Sequence, residues 1–432
     1  MGEGQNDLCI VGGGPAGMVA GLLFARAGVP TIVLEKHDDF LRDFRGDTVH
    51  PSTLRIFSEL GLLDRLLERP HDKVRQLHGL IGGRAMAIAD FSHFDPRWNF
   101  IAMMPQWEFL DFVADEARLY PHFTLTMNAE ATGLLTEAGR VAGVRYRADG
   151  ETRTLRARLT IAADGRTSCL REAAALPVRD LGAPMDVFWF RVPKAQAPDN
   201  ETTGVFASGR ILALIDRGDY WQCAYVFPKG MEEEIRARGL DAFRDEVAGI
   251  APILRARIGA VASWDEVKLL AVSLDRLEQW RRPGLLVIGD AAHAMSPVGG
   301  VGINVAVQDA VAAANALAGP MAAGKDPDPL LARVEKRRLP AVRITQGFQR
   351  AAQQRIISPL LMRQGGAFEP PRALRWLDRY PVLRRIPAAL IGFGWRPEHV
   401  RSPAVETPLR LRSAAPQDER KPVPLPLILR RD

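Results

Sequence analysis

The hydrophobic pattern begins with two short apolar runs on either side of a helix-like segment. Residues 8–11 and 31–34 predict buried strands, and residues 15–27 between them have a helical composition that ends at Gly28. A strand, a helix and a second strand in this order predict a βαβ unit, and therefore a parallel sheet.

Further along, the pattern changes from helical spacing to alternation and back. Residues 185–274 carry aromatic and β-branched runs between Gly- and Pro-containing turns, which predicts a mostly antiparallel sheet in a second domain. The fold class predicted is α/β, interrupted by this sheet and followed by C-terminal helices. The other predicted elements are helices at 50–63, 106–120, 231–247 and 300–317, strands at 123–126 and 285–288, and a hairpin of 141–147 with 154–162.

Composition and charge exclude several classes of protein. The 432 residues are 47% hydrophobic and 25% charged, which is ordinary for a globular chain. The net charge of +6 comes from scattered arginines rather than a dense stripe, so we expect no nucleic-acid partner. Three distant cysteines show neither a disulfide framework nor zinc spacing, so we expect no metal site and a cytoplasmic location.

No apolar run reaches 18 residues, and we expect no transmembrane segment. Residues 380–400 mix apolar residues with arginines, so a helix lying on a membrane surface is one interpretation. Packing of a C-terminal helix on the first domain is favoured, because Pro and Gly interrupt the pattern.

The turn after the first strand has the spacing of a dinucleotide-binding loop. Gly12 permits a tight turn, Gly14 lets the backbone approach a pyrophosphate, and Gly17 allows the helix to pack on the strand. Pro15 and Ala16 complete the loop at a helix N-terminus, where free N–H groups attract an anion. Glu35 ends the second strand, at the distance expected for a carboxylate that accepts hydrogen bonds from an adenosine ribose.

NAD, NADP or FAD could occupy this loop, and two later segments favour FAD. Asp164-Gly165 follows an apolar strand, and Gly289-Asp290 follows another. Asp290 is placed to accept from the ribityl hydroxyls of a flavin. The segment that follows it is suited to the flavin ring, because its glycines expose N–H groups at a helix start, namely Gly299, Gly300 and Gly302, with Ile303 and Asn304 next in the chain.

These three motifs, in this order, resemble the class A flavoprotein monooxygenases, the group of para-hydroxybenzoate hydroxylase and the ubiquinone-pathway hydroxylases. The resemblance covers about residues 7–400. It implies FAD contacts from Arg45, from Gln106 at its helix start and from the backbone of Ala131. It also implies that Pro297, with Val298 and Gly299 after it, lines the space above the flavin.

The resemblance implies a glutathione-reductase-type FAD domain with an inserted substrate domain. It also implies a reaction cycle in which NADPH or NADH reduces FAD, O2 adds to give a C4a-hydroperoxide, and one oxygen passes to a small aromatic or polyketide-like substrate. Alternatives are a reductase or desaturase of the same fold that never uses O2, and an FAD-bound protein that sequesters a ligand. A monomer and a homodimer both remain open.

The predicted divisions are the FAD domain at 1–75, 105–180 and 275–325, substrate-domain strands at 76–104, the substrate domain at 181–274, C-terminal helices at 326–402 and a Pro/Arg-rich tail at 403–432.

The antiparallel sheet should supply the substrate wall. Alternation assigns residues to a face but does not say which face is wet, so ordinary sheet packing is equally open for each candidate. The candidates are Phe188, Phe190, Tyr220, Gln222 and Tyr225.

Overall fold

The structure is a computed structural model that describes residues 6–41, 48–81, 83–194, 202–207, 209–363 and 370–405. Its strands, in chain order, are β1 (Asn6–Val11), β2 (Thr31–Leu34), β3 (Thr48–Val49), β4 (Asp72–Val74), β5 (Gln76–Ile81), β6 (Arg84–Asp90), β7 (Ile101–Met103), β8 (Phe123–Thr126), β9 (Glu130–Glu137), β10 (Arg140–Ala148), β11 (Glu151–Ala162), β12 (Val178–Asp180), β13 (Met185–Pro193), β14 (Thr203–Ala207), β15 (Arg210–Asp216), β16 (Tyr220–Pro228), β17 (Lys268–Leu270), β18 (Asp275–Leu277), β19 (Arg281–Arg282) and β20 (Leu285–Val287).

Twelve α-helices alternate with these strands or follow them within the described ranges. They are α1 (Pro15–Arg26), α2 (Pro51–Glu59), α3 (Leu63–Leu66), α4 (Gln106–Arg118), α5 (Cys169–Ala173), α6 (Glu232–Ala237), α7 (Leu240–Ile250), α8 (Gly302–Ala322), α9 (Asp328–Ala352), α10 (Ser358–Leu361), α11 (Arg372–Arg379) and α12 (Arg385–Gly392).

A parallel sheet forms the first layer, in the order β20-β11-β1-β2-β8 with β19 antiparallel at its edge. The predicted β1-α1-β2 unit is confirmed, and so is the hairpin of β10 with β11. Helices α1, α4 and α8 bury their apolar side chains against one face of the sheet. On the other face, β9 and β10 close a second core. Every parallel strand therefore ends at the same edge, where ligands bind in folds of this kind.

A second sheet runs in the order β17-β13-β16-β15-β14-β5-β6. Its pairs are antiparallel except for β14 with β5, which are parallel, so the expectation of an antiparallel sheet is corrected at that one pair. The helix predicted at 231–247 is two helices, because Gly239 adopts a φ of +89° that ends α6 and redirects the chain into α7. Both helices cover one face of this sheet.

Two small sheets connect the layers. Strand β7, predicted among the substrate-domain strands, instead pairs with β3 and β4. Strands β12 and β18 form an antiparallel ribbon beside the parallel sheet. The second sheet is thus joined to the first at more than one place along the chain.

The C-terminal helices return to the body of the protein. Helix α12 packs beside β6, with Ala388 and Ile391 in a core that includes Phe91. The last described residues reach α1, where Val405 N donates to the carbonyl of Arg26 at 2.8 Å. Residues 406–432, which make up most of the predicted tail, lie outside the described residues.

Within the described ranges, one segment has the length and apolarity of a membrane span. It is Val298–Ala322, and 83% of its apolar window is buried inside the protein. This segment contains α8, which packs against α1 in the core of the first domain.

Candidate functional site

Three motif-bearing loops meet at the carboxyl edge of the parallel sheet. They follow β1, β11 and β20, which are adjacent strands. A Cβ added at Gly12 would lie 2.3 Å from the carbonyl oxygen of Ala163, and one added at Gly289 would lie 2.9 Å from the Cβ of Ala16. The loops are therefore in direct contact, and Gly289, at a φ of +62°, is needed for that close approach.

The first loop combines two crowded glycines with one open glycine. Gly12 has a φ of +103°, and a Cβ at Gly17 would lie 1.9 Å from the carbonyl oxygen of Gly12. Gly14, the N-cap of α1, is open: apart from its two chain neighbours, no described residue has an atom within 4 Å of a Cβ added there. A helix N-terminus that faces such an open space suits a pyrophosphate, which fits the dinucleotide predicted here.

Glu35 lies beneath this loop and is almost fully buried. Its Oε2 accepts from the N–H of Gly13 at 2.8 Å, and its Oε1 accepts from the N–H and the ring Nδ1 of His37. Burial alone would raise the pKa of Glu35, but the hydrogen bonds from His37 and Gly13 outweigh burial and lower it. The carboxylate therefore stays ionised and keeps acceptor capacity for ribose hydroxyls.

In the second loop, the Asp164 side chain is hydrogen-bonded to the residues that follow it in the chain. Its carboxylate accepts from Ser168 Oγ at 2.5 Å and from the N–H of Leu170 at 3.3 Å. Burial raises the pKa of Asp164, and these hydrogen bonds only partly offset the effect. Cys169 Sγ donates to the carbonyl of Ala131 at 3.2 Å, so this loop also holds the strand predicted to contact adenine.

Asp290 joins the second loop to the third. Its Oδ2 accepts from Arg166 Nε at 3.1 Å, and both side chains are about one-third exposed, at 34% and 33%. This ion pair brings the Asp-Gly and Gly-Asp motifs together in one wall. The predicted ribityl contact of Asp290 would share its carboxylate with Arg166.

Asp309, on α8, anchors the third loop from behind. It is fully buried and accepts from Gly289 N at 3.1 Å, from His293 Nε2 at 2.6 Å and from Arg338 Nε at 2.8 Å. Burial alone would raise the pKa of Asp309, but its electrostatic and hydrogen-bond contacts with His293 and Arg338 outweigh burial and lower that pKa. His293 is thus part of a buried network that fixes the Gly-Asp turn.

Gln349 on α9 and Gln353, directly after α9, hold the segment that is predicted to lie above the flavin. Gln349 accepts from Ser296 N at 3.2 Å and donates to the carbonyls of Ser296 at 2.8 Å and Val298 at 3.0 Å. Gln353 donates to Ser296 Oγ at 2.8 Å. Pro297, next in the chain, is held between these contacts and remains partly exposed. Sequence reasoning missed these glutamines, although four residues, about one helical turn, separate them at the end of α9.

The start of α8 is built for close approach. Gly299 and Gly300 have φ values of +79° and +62°, and Thr48 Oγ1 donates to the carbonyl of Gly300 at 2.8 Å. The first intrahelical bond runs from Val305 to Val301. The N–H groups of the first helical turn therefore have no partner within the helix, and they belong to Gly302, Ile303 and Asn304.

The side-chain amide of Asn304 is hydrogen-bonded to neighbouring residues of the protein. Its Oδ1 accepts from His50 N and Thr53 Oγ1, each at 2.8 Å, and its Nδ2 donates to the carbonyl of Thr48 at 3.1 Å. Any flavin contact from Asn304 would therefore come from its backbone. The side chain itself ties the strand that precedes α2 to the helix start.

His50 is a residue that the sequence pattern did not single out. Its Nδ1 donates to the carbonyl of Ile391 at 2.8 Å, and its Nε2 is buried with no hydrogen-bond partner among the described residues. A Cβ at Gly300 would lie 3.5 Å from that Nε2. Burial lowers the pKa of His50 to about 4, so the ring is neutral at pH 7.

The predicted substrate wall divides between the two faces of the second sheet. Phe188, Phe190 and Tyr225 are fully buried against α7, where their rings pack around Phe243. These three residues lie in the core under the helices, and the prediction that they line a substrate space is corrected. Aromatic residues on a sheet are as typical of a helix-covered core as of a binding wall.

The opposite face carries the remaining candidates. Gln222 lies there but is buried, and its Oε1 accepts from Arg217 Nε at 3.0 Å. Tyr220 is partly exposed, with the guanidinium of Arg191 5.1 Å from its ring centroid. Alternation also places Trp189 and Ala224 on this face as a cross-strand pair.

Val298, in the third loop, packs against this face of the sheet. The loop and the sheet therefore meet, and their junction is the candidate substrate site. Trp189 Nε1 is buried there without a partner among the described residues. An indole N–H can only donate, so this group needs an acceptor from outside the described residues.

Of two other residues predicted to contact FAD, Gln106 and Arg45, the structure describes only Gln106. Gln106 is the first residue of α4 and is partly exposed, with its role still a prediction. Arg45 lies outside the described residues.

The described cysteines Cys9, Cys169 and Cys223 are free thiols. Among the described residues there is no group of three or more His, Cys, Asp or Glu side chains arranged to hold a metal ion.

Comparison with known proteins agrees with this geometry. A family model described as "FAD binding domain" matches residues 5–347, which is most of the chain. The matched range includes all three motif loops and the start of α8. The cofactor-type site found in the structure thus coincides with a domain defined by FAD binding.

Individual relatives match this chain over different shares of their own length, from nearly all of one to less than two thirds of another. 6-methylpretetramide 4-monooxygenase of Streptomyces rimosus is 29% identical over 412 residues, which cover 93% of this chain and 96% of that protein. Rifampicin monooxygenase of Streptomyces venezuelae is 29% identical over 320 residues, covering 70% of this chain and 62% of that protein. PqsL of Pseudomonas aeruginosa in complex with 2-aminobenzoylacetate superposes with a TM-score of 0.72 at 21% identity, covering 83% of this chain and 98% of that one, and this likeness concerns the fold.

Proposed function

The chain belongs to the FAD-binding family of class A aromatic monooxygenases, and on that premise we propose that it hydroxylates a small aromatic or polyketide-like compound. The reaction consumes one substrate C–H bond, O2, NAD(P)H and a proton. It yields the hydroxylated product, NAD(P)+ and water, so that one oxygen atom enters the product and the other is reduced. The observation that carries the proposal is the meeting of three motif loops at one sheet edge, facing the open space beyond Gly14.

The residues at this edge fit FAD along its length. The N-terminus of α1, from Gly14, would hold the pyrophosphate, and Glu35 would accept from the adenosine ribose. The start of α8, from Gly302, would hold the pyrimidine edge of the ring and stabilise negative charge there. FAD bound here supplies the hydride acceptance and the oxygen chemistry, which no side chain provides.

The chain's own contribution begins with a fixed loop above that site. Gln349 and Gln353 hold Ser296 and Val298 through four hydrogen bonds, so the Pro297 backbone is set before a substrate arrives. Such preorganisation positions a substrate at lower entropic cost than a mobile loop would. Val298 offers no side-chain hydroxyl, so it shapes the space without donating a hydrogen bond.

The facing sheet indicates the kind of substrate. Trp189 and Val298 are partly buried apolar side chains where this face meets the third loop, and the indole N–H of Trp189 is an unsatisfied donor among the described residues. A flat apolar compound with an oxygen substituent matches that surface. The name of the Streptomyces rimosus relative, with 96% of its length covered, makes 6-methylpretetramide a first compound to test.

The proposal is tested on the purified holoprotein. NADPH and NADH oxidation is followed with and without aromatic and polycyclic candidates, and the product is analysed by mass spectrometry after reaction under 18O2. We expect a substrate to accelerate oxidation and to gain one labelled oxygen atom. Peroxide released without a labelled product, for every compound that accelerates oxidation, would contradict hydroxylation.

A variant pair checks the proposed substrate surface in the same assay. Trp189→Phe keeps the ring but removes the N–H, so it should raise the substrate KM more than it changes FAD content. Its control is Trp264→Phe, on the helix-covered side of the same sheet. Equal effects from both variants would place the substrate elsewhere.

A further inference from the structure

A cluster of arginines lies outside the motif loops, on the ribbon of β12 and β18 and the adjoining face of α9. Arg179 and Arg276 are directly opposite each other in the ribbon. Arg276 Nη1 donates to Gln346 Oε1 at 3.1 Å, which fixes the ribbon against α9. Arg343 and Arg350 lie one turn before and one turn after Gln346, on the same side of that helix. We call these four arginines the arginine patch.

The arginine patch has few carboxylates to balance it. Among the described residues no Asp or Glu oxygen lies within the 4.0 Å ion-pair distance of Arg276, Arg343 or Arg350. Arg179 has only Glu278, at 3.9 Å, with both side chains more than half exposed. Like charges placed directly opposite in a ribbon are destabilising. Such a surface favours a bound anion.

The titration of Arg276 agrees with this view. Its pKa is lowered, first by burial and then by the positive charges of Arg343 and Arg179. The patch is therefore close enough for its members to repel one another. A polyanion placed among them would relieve that repulsion.

An open cleft of about 270 Å³ adjoins the patch. Arg350 forms part of its wall together with Gln353, Gln354 and Ser358, and residues 181–184 form the rest. Arginine, amide, hydroxyl and backbone groups together can bind phosphate oxygens. The cleft is open to solvent, as a site for an exchanging nucleotide must be.

The patch is also connected to the motif loop near the flavin site. Gln346 donates to the carbonyl of Ala294 at 3.2 Å, while Gln353, in the cleft wall, donates to Ser296 Oγ at 2.8 Å. Both acceptors belong to the segment between Asp290 and Pro297. Arg276 of the patch is thus linked through Gln346, by two hydrogen bonds in series, to the loop that the substrate and the cofactor would share.

We propose that the arginine patch binds the phosphate groups of the nicotinamide donor. The inference rests on the proposed function, which requires NADPH or NADH. The chain has one GxGxxG loop, and FAD would occupy it, so the donor needs phosphate contacts elsewhere. Arginine is suited to this because its planar guanidinium binds phosphate oxygens in pairs. The 2′-phosphate of NADPH and the pyrophosphate of either nucleotide share this chemistry.

The test uses the holoprotein with Arg343→Gln and Arg350→Gln combined. Anaerobic stopped-flow reduction of the flavin is measured against NADPH and NADH concentration. We expect the apparent Kd for NADPH to rise about tenfold or more, since each lost charged hydrogen bond contributes on this scale. The limiting reduction rate and the FAD content should stay unchanged. Rising salt should weaken NADPH binding to the wild type more than to the variant.

A matched control removes the same charge elsewhere. Arg372→Gln with Arg375→Gln changes two exposed arginines of α11 and should leave the Kd near wild type. A loss confined to NADPH would identify the 2′-phosphate as the bound group, and an equal loss for NADH would identify the pyrophosphate. Both results support the site. An unchanged Kd, or an equal change in both double variants, would overturn it.

Calorimetric titration with adenosine 2′,5′-bisphosphate and with ADP separates the site from the reaction. Binding to the wild-type holoprotein that weakens in the Arg343/Arg350 variant supports the patch as a nucleotide-phosphate site. Failure of both analogues to bind the wild type overturns it. If the analogues bind but neither nicotinamide nucleotide reduces the flavin, the proposed monooxygenase function fails while the phosphate site stands.

Discussion

The crowded and open glycines of the first loop allow one cofactor contact to be separated from folding. Gly14→Val introduces a side chain into a space where, apart from Gly14 and its two chain neighbours, no atom of the described residues lies within 4 Å of the first added carbon. Its backbone, with φ of −75° and ψ of −176°, is extended and accepts a β-branched residue. Changing the N-cap costs about 1 kcal/mol or less of stability.

The loss of FAD affinity should be larger than that cost. A side chain at Gly14 would push the pyrophosphate away from the N–H groups of α1. Each hydrogen bond to a charged group contributes about 1.5–3 kcal/mol, so the loss of one raises the Kd about 10- to 150-fold. The purified variant should be folded and nearly colourless.

Gly17→Ala is the matched control, because its Cβ would lie 1.9 Å from the backbone oxygen of Gly12. It should lower the urea midpoint of the FAD-free protein, which Gly14→Val should leave almost unchanged. The assay is urea unfolding followed by circular dichroism, together with FAD titration of the apo-proteins. Wild-type FAD affinity in Gly14→Val, or equal destabilisation by both variants, would refute this account of the loop.

Three further predictions concern stability and the two faces of the second sheet. The pKa of His50 falls from 6.5 to about 4 on folding, so the unfolded chain binds a proton that the folded chain excludes in this window. The contribution of His50 to the free energy of unfolding is therefore fully present above pH 6.5 and is lost as the pH falls, by about 2 kcal/mol at pH 5. Urea unfolding at pH 7 and at pH 5 should show a smaller decline in stability for His50→Asn than for the wild type. Asp309→Asn leaves a buried arginine without its carboxylate and should cost about 3–5 kcal/mol. The control is Asp241→Asn, because the Asp241 side chain is 91% exposed; in the same unfolding assay it should cost about 1 kcal/mol or less. Similar losses of stability in Asp309→Asn and Asp241→Asn would contradict the buried network. Phe188→Ala should lower stability by about 3–5 kcal/mol, whereas Trp189→Phe should shift substrate KM with little change in melting temperature; the opposite assignment of effects would reverse the two faces.

The elements that position the cofactor could be predicted because their signals are local. The β1-α1-β2 unit follows from apolar runs and glycine spacing within 30 residues. The meeting of Gly289 with Ala16 follows from the rule that parallel strands end at one edge. Helix ends were less well predicted, since Gly61, at a φ of +71°, ends the helix that the apolar pattern continued to residue 63.

Features that depend on distant partners could not be predicted. Alternation pairs Phe188 with Tyr225, but only the packing of α7 shows that this face is dry. Likewise, His50 depends on the carbonyl of Ile391, some 340 positions away in the chain. Nothing in the neighbouring residues indicates such a partner. The same is true of Gln349, whose spacing on α9 suggests a common face but not the loop that it holds.

The contact between the last described residues and α1 has a consequence for synthesis. Arg26 accepts from Val405 N through its carbonyl and donates to the carbonyl of Ser402 through its guanidinium. The helix that begins at the pyrophosphate loop is therefore braced by residues that leave the ribosome nearly 380 positions later. Until then the nascent chain exposes that end of α1, so a stalled or truncated product should be an early target for chaperones and proteases.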